Sequence, residues 1–169
     1  MSDVAGKKTE KNLQEAFAGE SQANRTYLAF AKKAEQEGHT QVAKLFRAAA
    51  AAETIHAHNH LKALGKIGTT EENLKEAVGG ETHEFMEMYP GMIEDAKNEG
   101  LNEALRSFTW ANAVEKVHAG LYQKALDNLG QNASVDYYVC QVCGHTIEGE
   151  PAGPCQVCGA AAKAFQKTD

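Results

Sequence analysis

Apolar residues recur at steps of three and four along most of the chain, the period of a helix with one buried stripe. Four such runs are legible, at about residues 9–37, 40–64, 70–99 and 102–129. The first stripe runs Leu13, Phe17, Glu20, Asn24, Tyr27, Ala31, Ala34, and the second Val42, Leu45/Phe46, Ala49, Glu53, His56, His60, Leu64. The third gives Leu74, Ala77/Val78, Glu81, Glu84/Phe85, Met88, and the fourth Leu105, Phe108, Ala111/Asn112, Glu115, His118, Tyr122, Ala125, Leu129. Glycines at 38, 65, 100 and 130 follow the runs, where helices commonly stop. Thr9, Thr40, Thr69 or Thr70, and Asn102 mark the starts, and Thr69 with Glu72 has capping-box spacing. Pro90 is expected to kink or break the third run. Short links between long helices favour an antiparallel four-helix bundle, so the chain reads as mainly α. From Ser134 the helical period disappears, and short apolar pieces alternate with Gly and Pro. A boundary at about 131–136 therefore separates a bundle, 1–133, from a small module, 134–169.

Each predicted helix carries a carboxylate in the middle of its apolar stripe, and two carry the same pair, Glu53-x-x-His56 and Glu115-x-x-His118. A buried ionised carboxylate costs several kcal/mol unless it is compensated. A single mid-stripe Glu is ordinarily a boundary residue that reaches water. Glu20, Glu53, Glu81, Glu84 and Glu115 converging on one core have no Lys or Arg on the same stripes to neutralise them. Metal cations are the remaining source of positive charge, and Glu-x-x-His sets both ligands on one helix face. One Glu on each of two helices plus Glu-x-x-His on the other two is the di-iron or di-manganese pattern of ferritin-like bundles.

An internal duplication agrees with this. Gly19-Glu20-Ser21 is similar to Gly80-Glu81-Thr82, and Glu20 precedes Glu53 by 33 residues while Glu81 precedes Glu115 by 34. Two hairpins related by an approximate two-fold would form a two-metal centre, although Ala23 stands where the first helix would match Glu84. Tyr27, two turns after Glu20, is placed to hydrogen-bond a ligand carboxylate, or else is an ordinary core tyrosine. Glu87 is expected on a solvated face and His60 at the bundle end. His58 and His83 point away from their seams, and Trp110 and Met88 read as packing.

The chain has 169 residues, 17 Lys+Arg against 23 Asp+Glu, and a formal net charge of −6. That size holds one ordinary domain and a small appendage. The acidic balance, without a basic cluster, excludes nucleic acid and anionic membrane as natural partners. No apolar run approaches the roughly 20 residues that span a bilayer, and the polar start is no signal peptide. A cytoplasmic protein is expected.

All four cysteines lie in the last thirty residues, as Cys140-Gln-Val-Cys143-Gly and Cys155-Gln-Val-Cys158-Gly. Two identical knuckles separated by a loop suit a tetrahedral metal held by four thiolates better than disulfides in such a protein. The glycine after each second cysteine allows a tight turn that aims N–H groups at sulfur. So short a module has too little core to fold alone, so metal supplies much of its folding free energy. Spacing does not separate a redox iron from a structural zinc. A zinc ribbon for nucleic acid brings basic residues, whereas this tail has Lys163 and Lys167 against four acids.

Taken together, Ala18-Gly-Glu-Ser-Gln-Ala23, Glu53-Thr-Ile-His56, Gly80-Glu-Thr-His-Glu84 with Glu87-Met-Tyr-Pro90, Glu115-Lys-Val-His118 and both knuckles resemble the rubrerythrin family over essentially the whole chain. The resemblance implies a ferritin-like di-iron domain followed by a rubredoxin-like iron domain, a small β module. It implies a peroxidase that reduces hydrogen peroxide to water, taking electrons from an NADH-dependent reductase, directly or via rubredoxin. By the same resemblance Glu53 and Glu115 are bridging carboxylates. Glu84 and His118 are terminal ligands of one iron, and Glu20 of the other. Glu81 and His56 alternate as ligands of that second iron, Glu81 when it is oxidised and His56 when it is reduced. Cys140, Cys143, Cys155 and Cys158 hold the third iron, with zinc as a substitute. His145 and Gln156 depart from the rubredoxin pattern, which has an aromatic and a proline there. The family's head-to-tail homodimer, with one subunit's tail beside the other's bundle, is expected because within a subunit the tail would lie far from the di-iron site. The main rival is a ferroxidase using the same ligands with O2, and a further one is a zinc-bearing module without redox chemistry.

Overall fold

The computed structural model describes residues 4–168, which divide into two compact units, one running up to Gly68 and the other from Thr69. The first is a helical hairpin of α1 (Lys8–Gln36) and α2 (Thr40–Ala63). The chain reverses between them through Gly38 at φ +82°, a left-handed conformation that glycine adopts without strain. The hairpin is joined by small residues. Ala31 and Ala34 of α1 and Ala43, Ala50 and Ala57 of α2 are buried, and the sevenfold spacing in α2 keeps one face on α1. Asn24 fastens the pair, donating from Nδ2 to the Ala50 carbonyl at 2.6 Å and to Thr54 Oγ1 at 2.9 Å.

This corrects the expected seam of α2. Val42 and Leu45 are 46% and 68% exposed, whereas Phe46 of the same stripe packs on Tyr27 and Phe30 and His56 lies 3.8 Å from Glu20 of α1, so the expected stripe meets α1 only in part. Close approach of two helices selects alanine over larger side chains. The starts are corrected too. His39 and Leu101, not Thr40 and Asn102, hold the cap positions of α2 and α5, and Lys7 rather than Thr9 caps α1, none with a side-chain bond. Thr69 does form the capping box, its Oγ1 accepting from the Glu72 amide while the Glu72 carboxylate accepts from the Thr69 amide.

The second unit begins with α3 (Thr70–His83), passes through a π-helical turn (Glu84–Met88) into α4 (Tyr89–Asn98), and returns along α5 (Asn102–Asp127). Pro90 neither ends the helix nor kinks it sharply. An α-helix would need the Pro90 N–H for the Met86 carbonyl, and the ring would crowd that oxygen. Widening the turn removes the demand, and the Tyr89 N–H bonds instead to the Glu84 carbonyl, five residues back. A π-turn is a one-residue insertion. Glu20 stands 16 residues before the end of α1 and Glu81 17 before the end of α4, while Glu53 and Glu115 each stand 13 after their helix starts. The extra residue that separates a spacing of 34 from 33 lies in the helix that carries the widened turn.

After α5 the chain is irregular over residues 131–136 and then forms three short antiparallel strands, β1 (Tyr137–Cys140), β2 (Thr146–Glu148) and β3 (Phe165–Lys167), in the order β2-β1-β3. Val139 pairs with Thr146 on one side and Gln166 on the other. The module packs on α5 through β2, and Gly144 faces the buried Val114. Among the described residues no helix is long and apolar enough to cross a membrane.

Candidate metal centres

The seam carboxylates gather into two near-identical triads, one in each unit. In the first, His56 Nδ1 lies 2.9 Å from Glu53 Oε2 and 3.8 Å from Glu20 Oε1. In the second, His118 Nδ1 lies 2.7 Å from Glu115 Oε2 and 3.8 Å from Glu81 Oε2. In each, three donor atoms fall within 4.8 Å of one another, as ligands around one cation would. Among the described residues no Lys or Arg pairs with any of these four carboxylates; the lysines and arginines engage Glu35, Glu37, Glu71, Asp136 and Glu148 instead. Oxygen and nitrogen donors with surplus negative charge and no cationic side chain fit iron in both triads.

The two imidazoles differ in what stands behind them. His118 Nε2 meets Thr146 Oγ1 at 3.0 Å, and that hydroxyl donates to the Gly144 carbonyl at 3.1 Å. The Thr146 oxygen is therefore the acceptor, Nε2 carries the proton, and the Nδ1 lone pair is left to a metal. His56 has no such support and is 52% exposed against 27% for His118.

Burial lifts the Glu81 carboxyl, and hydrogen bonding to Glu115 with repulsion from Glu115 and Glu84 carries it further, to about 7. Glu84 lies outside the tight triad but close enough to act on it. Tyr89 sits in the same field: burial first, then the charges of Glu115, Glu84 and Glu81, raise its phenol above the usual range. Pattern reading missed this tyrosine, because a residue beside Pro90 reads as a break rather than part of a site. Its ring packs at 6.3 Å from Phe108. Tyr27 stacks on Phe46 at 6.1 Å, and among the described residues it makes no hydrogen bond to a carboxylate. Glu87 is exposed and pairs with His83, and Trp110 packs under Arg106.

The four cysteines form the third centre. Cys140 and Cys158 sulfurs are 3.7 Å apart and Cys143 and Cys155 sulfurs 3.6 Å, far beyond a disulfide bond. A tetrahedral metal with bonds of about 2.3 Å to sulfur sets its ligands about 3.8 Å apart, so the cage already has the right size. Gly144 and Gly159 take φ of +84° and +75° after the second cysteine of each knuckle. Those turns aim the His145 amide at Cys143 and the Ala160 amide at Cys158. Burial pushes the Cys155 thiol up, but the amides of Cys158 and Val157 and the side chains of His145 and Cys143 bring it down to about 6. His145 is buried, edge-on to Phe165, with Nδ1 3.5 Å from Cys155 Sγ. The residue that departs from the rubredoxin pattern thus touches a ligand sulfur.

The rubrerythrin family model matches residues 11–126. The chain belongs to the rubrerythrin family. It is 36% identical to rubrerythrin-2 of Clostridium acetobutylicum over 171 residues, covering 91% of this chain and 93% of that protein. It is 34% identical to nigerythrin of Nitratidesulfovibrio vulgaris, covering 89% and 81%. Solved nigerythrin structures, partially reduced and all-ferrous, align over 99% of this chain and 90% of theirs at TM-score 0.59, with 32% and 31% identity. Rubrerythrins are di-iron oxidoreductases of oxidative stress defence, and this member carries the Glu/His groups and the rubredoxin-like four-cysteine cluster that go with that chemistry. The expected distance between tail and bundle is corrected here: the four-cysteine module lies against its own chain's α5, hydrogen-bonded to His118.

Proposed function

We propose that the chain is a non-haem di-iron peroxidase that reduces hydrogen peroxide to two waters, with electrons delivered singly through the thiolate-bound iron. The observation that carries this reading is the His118–Thr146 hydrogen bond, three residues beyond Cys143. It ties a di-iron imidazole to the thiolate module by a short through-bond route. A zinc ribbon has no use for that route. When bound, the di-iron pair supplies two electrons at once while the cysteine-bound iron supplies one at a time.

In this reading Glu53 and Glu115 bridge, Glu20, Glu81, Glu84, His56 and His118 complete the two iron shells, and Cys140, Cys143, Cys155 and Cys158 hold the third iron. Thr146 fixes the His118 tautomer. The two protons that peroxide reduction consumes pass through the carboxylates of the site. Tyr89, rather than Tyr27, is the phenol nearest the second triad's charge. The chain divides functionally at 133/134, into a di-iron bundle and an electron-transfer module. It works in the cytoplasm as a homodimer or larger homo-oligomer, fed by an NADH-dependent reductase.

Stopped-flow mixing of the fully reduced protein with peroxide and, separately, with O2 tests the assignment. Oxidation faster by peroxide than by O2, followed by bleaching and recovery of the iron–thiolate band during turnover with reductant, is expected. Faster oxidation by O2 with retention of the product iron would establish a ferroxidase instead.

A further inference from the structure

We infer that Lys124 and Glu148 are positioning residues, a charge latch that holds the four-cysteine module in register on α5 so that Thr146 meets His118. The inference rests on the reading that electrons pass from the module to the di-iron site.

The module meets α5 along one side of a strand. Side chains of a strand alternate between its two faces, and from residue 144 to 148 every second one contacts the helix. Gly144 faces Val114, Thr146 bonds to His118, and the Glu148 carboxylate accepts from Lys124 Nζ. His145 and Ile147, between them, line a separate cleft with Pro151 and Pro154. Thr146 and Glu148 stand about 7 Å apart along the strand, and His118 and Lys124 about 9 Å apart along the helix. Two bonds so separated fix one line against another, whereas either alone would leave the strand free to pivot.

The space beside these two points is not packed. A cleft of about 330 Å³ opens next to His118 and Thr146, lined by Leu74, Leu121, Tyr122 and Tyr137. The two tyrosines are 38% and 36% exposed. In a close-packed interface apolar contact would set the register; here directed polar contacts decide it. Among the described residues the Lys124–Glu148 pair is the only ion pair that joins a bundle helix to the module. With Lys124 59% and Glu148 28% exposed, such a pair shifts an equilibrium only a few-fold. That suffices, because its neighbours are one part-buried hydrogen bond and one van der Waals contact. The connecting residues 131–136 are irregular, and Asn132 ties only their start, donating to the Ala125 and Asn128 carbonyls. Without the latch the module leaves its register more often, and electron transfer falls steeply as the His118–Thr146 contact opens.

Charge reversal in the full iron-loaded protein tests this. Fully reduced protein is mixed with one equivalent of peroxide, which takes two electrons from the di-iron pair. The red band of the ferric thiolate site then appears as one electron leaves the module for the oxidised pair. In Lys124→Glu two carboxylates face each other, and the band should appear about 3–10-fold more slowly than in wild type, a lost attraction compounded by a like repulsion. Lys124→Glu/Glu148→Lys exchanges the ends of the pair and should recover the wild-type rate. Raising salt from about 0.05 M to about 0.5 M should slow the wild type and the double variant but speed Lys124→Glu, since screening weakens attraction and repulsion alike. In zinc-loaded protein, without redox chemistry, the Gly144 and Thr146 amide resonances should shift in Lys124→Glu and return in the double variant. Equal rates in wild type and Lys124→Glu at both salt concentrations would overturn the latch, and so would a slowed Lys124→Glu that the double variant does not rescue. A band that never appears in wild type would sink the electron route, and the amide resonances would then decide the docking by themselves.

Discussion

Thr146→Val removes one hydroxyl at the contact between α5 and the four-cysteine module and leaves the side chain's shape nearly unchanged. Two hydrogen bonds disappear with it, that from His118 Nε2 at 3.0 Å and that to the Gly144 carbonyl at 3.1 Å. Each is worth about 0.5–1.5 kcal/mol to the fold. The larger effect falls on metal. Outer-shell partners of a ligand histidine typically change metal affinity about 10–100-fold, because they fix the ring and the tautomer. His118 is 27% exposed, so water replaces part of the lost partner, and about tenfold weaker ferrous binding is expected at the iron it serves. Chelator competition under anaerobic conditions measures this. Re-reduction of the di-iron site through the tail should slow in the same variant, while the iron–thiolate band stays as in wild type. Thr146→Ser keeps the hydroxyl and should restore both properties. Ferrous affinity in Thr146→Val equal to wild type at both irons, with unchanged re-reduction, would refute the assignment of Nδ1 to metal and of Thr146 to the route between centres.

Three further outcomes follow from other contacts. In metal-free protein, Glu81 holds its proton to about 7 against an ordinary 4.5, so the folded state binds protons more tightly than the unfolded one. Stability to urea should then fall as pH rises from 4.5 to 7, by on the order of 1–3 kcal/mol after solvent screening at a partly open face. Glu81→Gln should flatten that slope, and a variant whose stability still falls over this window would rule Glu81 out as its source. His145→Phe removes an N–H donor beside Cys155 Sγ, and hydrogen bonds to ligand sulfur favour the reduced site; its thiolate-bound iron should titrate at a more negative potential, and an unchanged potential would mean that the contact does not act on the thiolate. Asn24→Ala leaves the α1–α2 hairpin without its buried cross-link and should cost about 1–3 kcal/mol in denaturant unfolding, read as a lower midpoint at constant slope.

Helix ends were legible in the sequence because they have a local cause. Gly38, Gly65 and Gly100 take positive φ, which other residues resist, so each stop was written into one position. The ligand types were legible because Glu-x-x-His and paired C-x-x-C knuckles have few other uses. The packing of α2 was not, since weighing side chains by hydrophobicity favours Val42 and Leu45 over Ala43 and Ala50, whereas close approach between helices favours the alanines. Nor could any pattern join His118 to Thr146, 28 residues away, or bring Tyr89 under the charge of Glu115. The offset of one residue between the two halves lies between these cases. It was visible as a spacing of 34 against 33, but its meaning depended on the π-turn at Glu84–Met88. The widened turn absorbs a residue between Glu81 and the end of α4 and leaves Glu115 and His118 at the same place in α5 that Glu53 and His56 hold in α2. It also sets Glu84 and Tyr89 at the two ends of the same turn, in a segment that α1 does not match. The correspondence between the two halves of the sequence is therefore broken on one side only. That side has the extra carboxylate, the perturbed phenol and the supported imidazole, so the two irons of a symmetric ligand pattern meet chemically different surroundings.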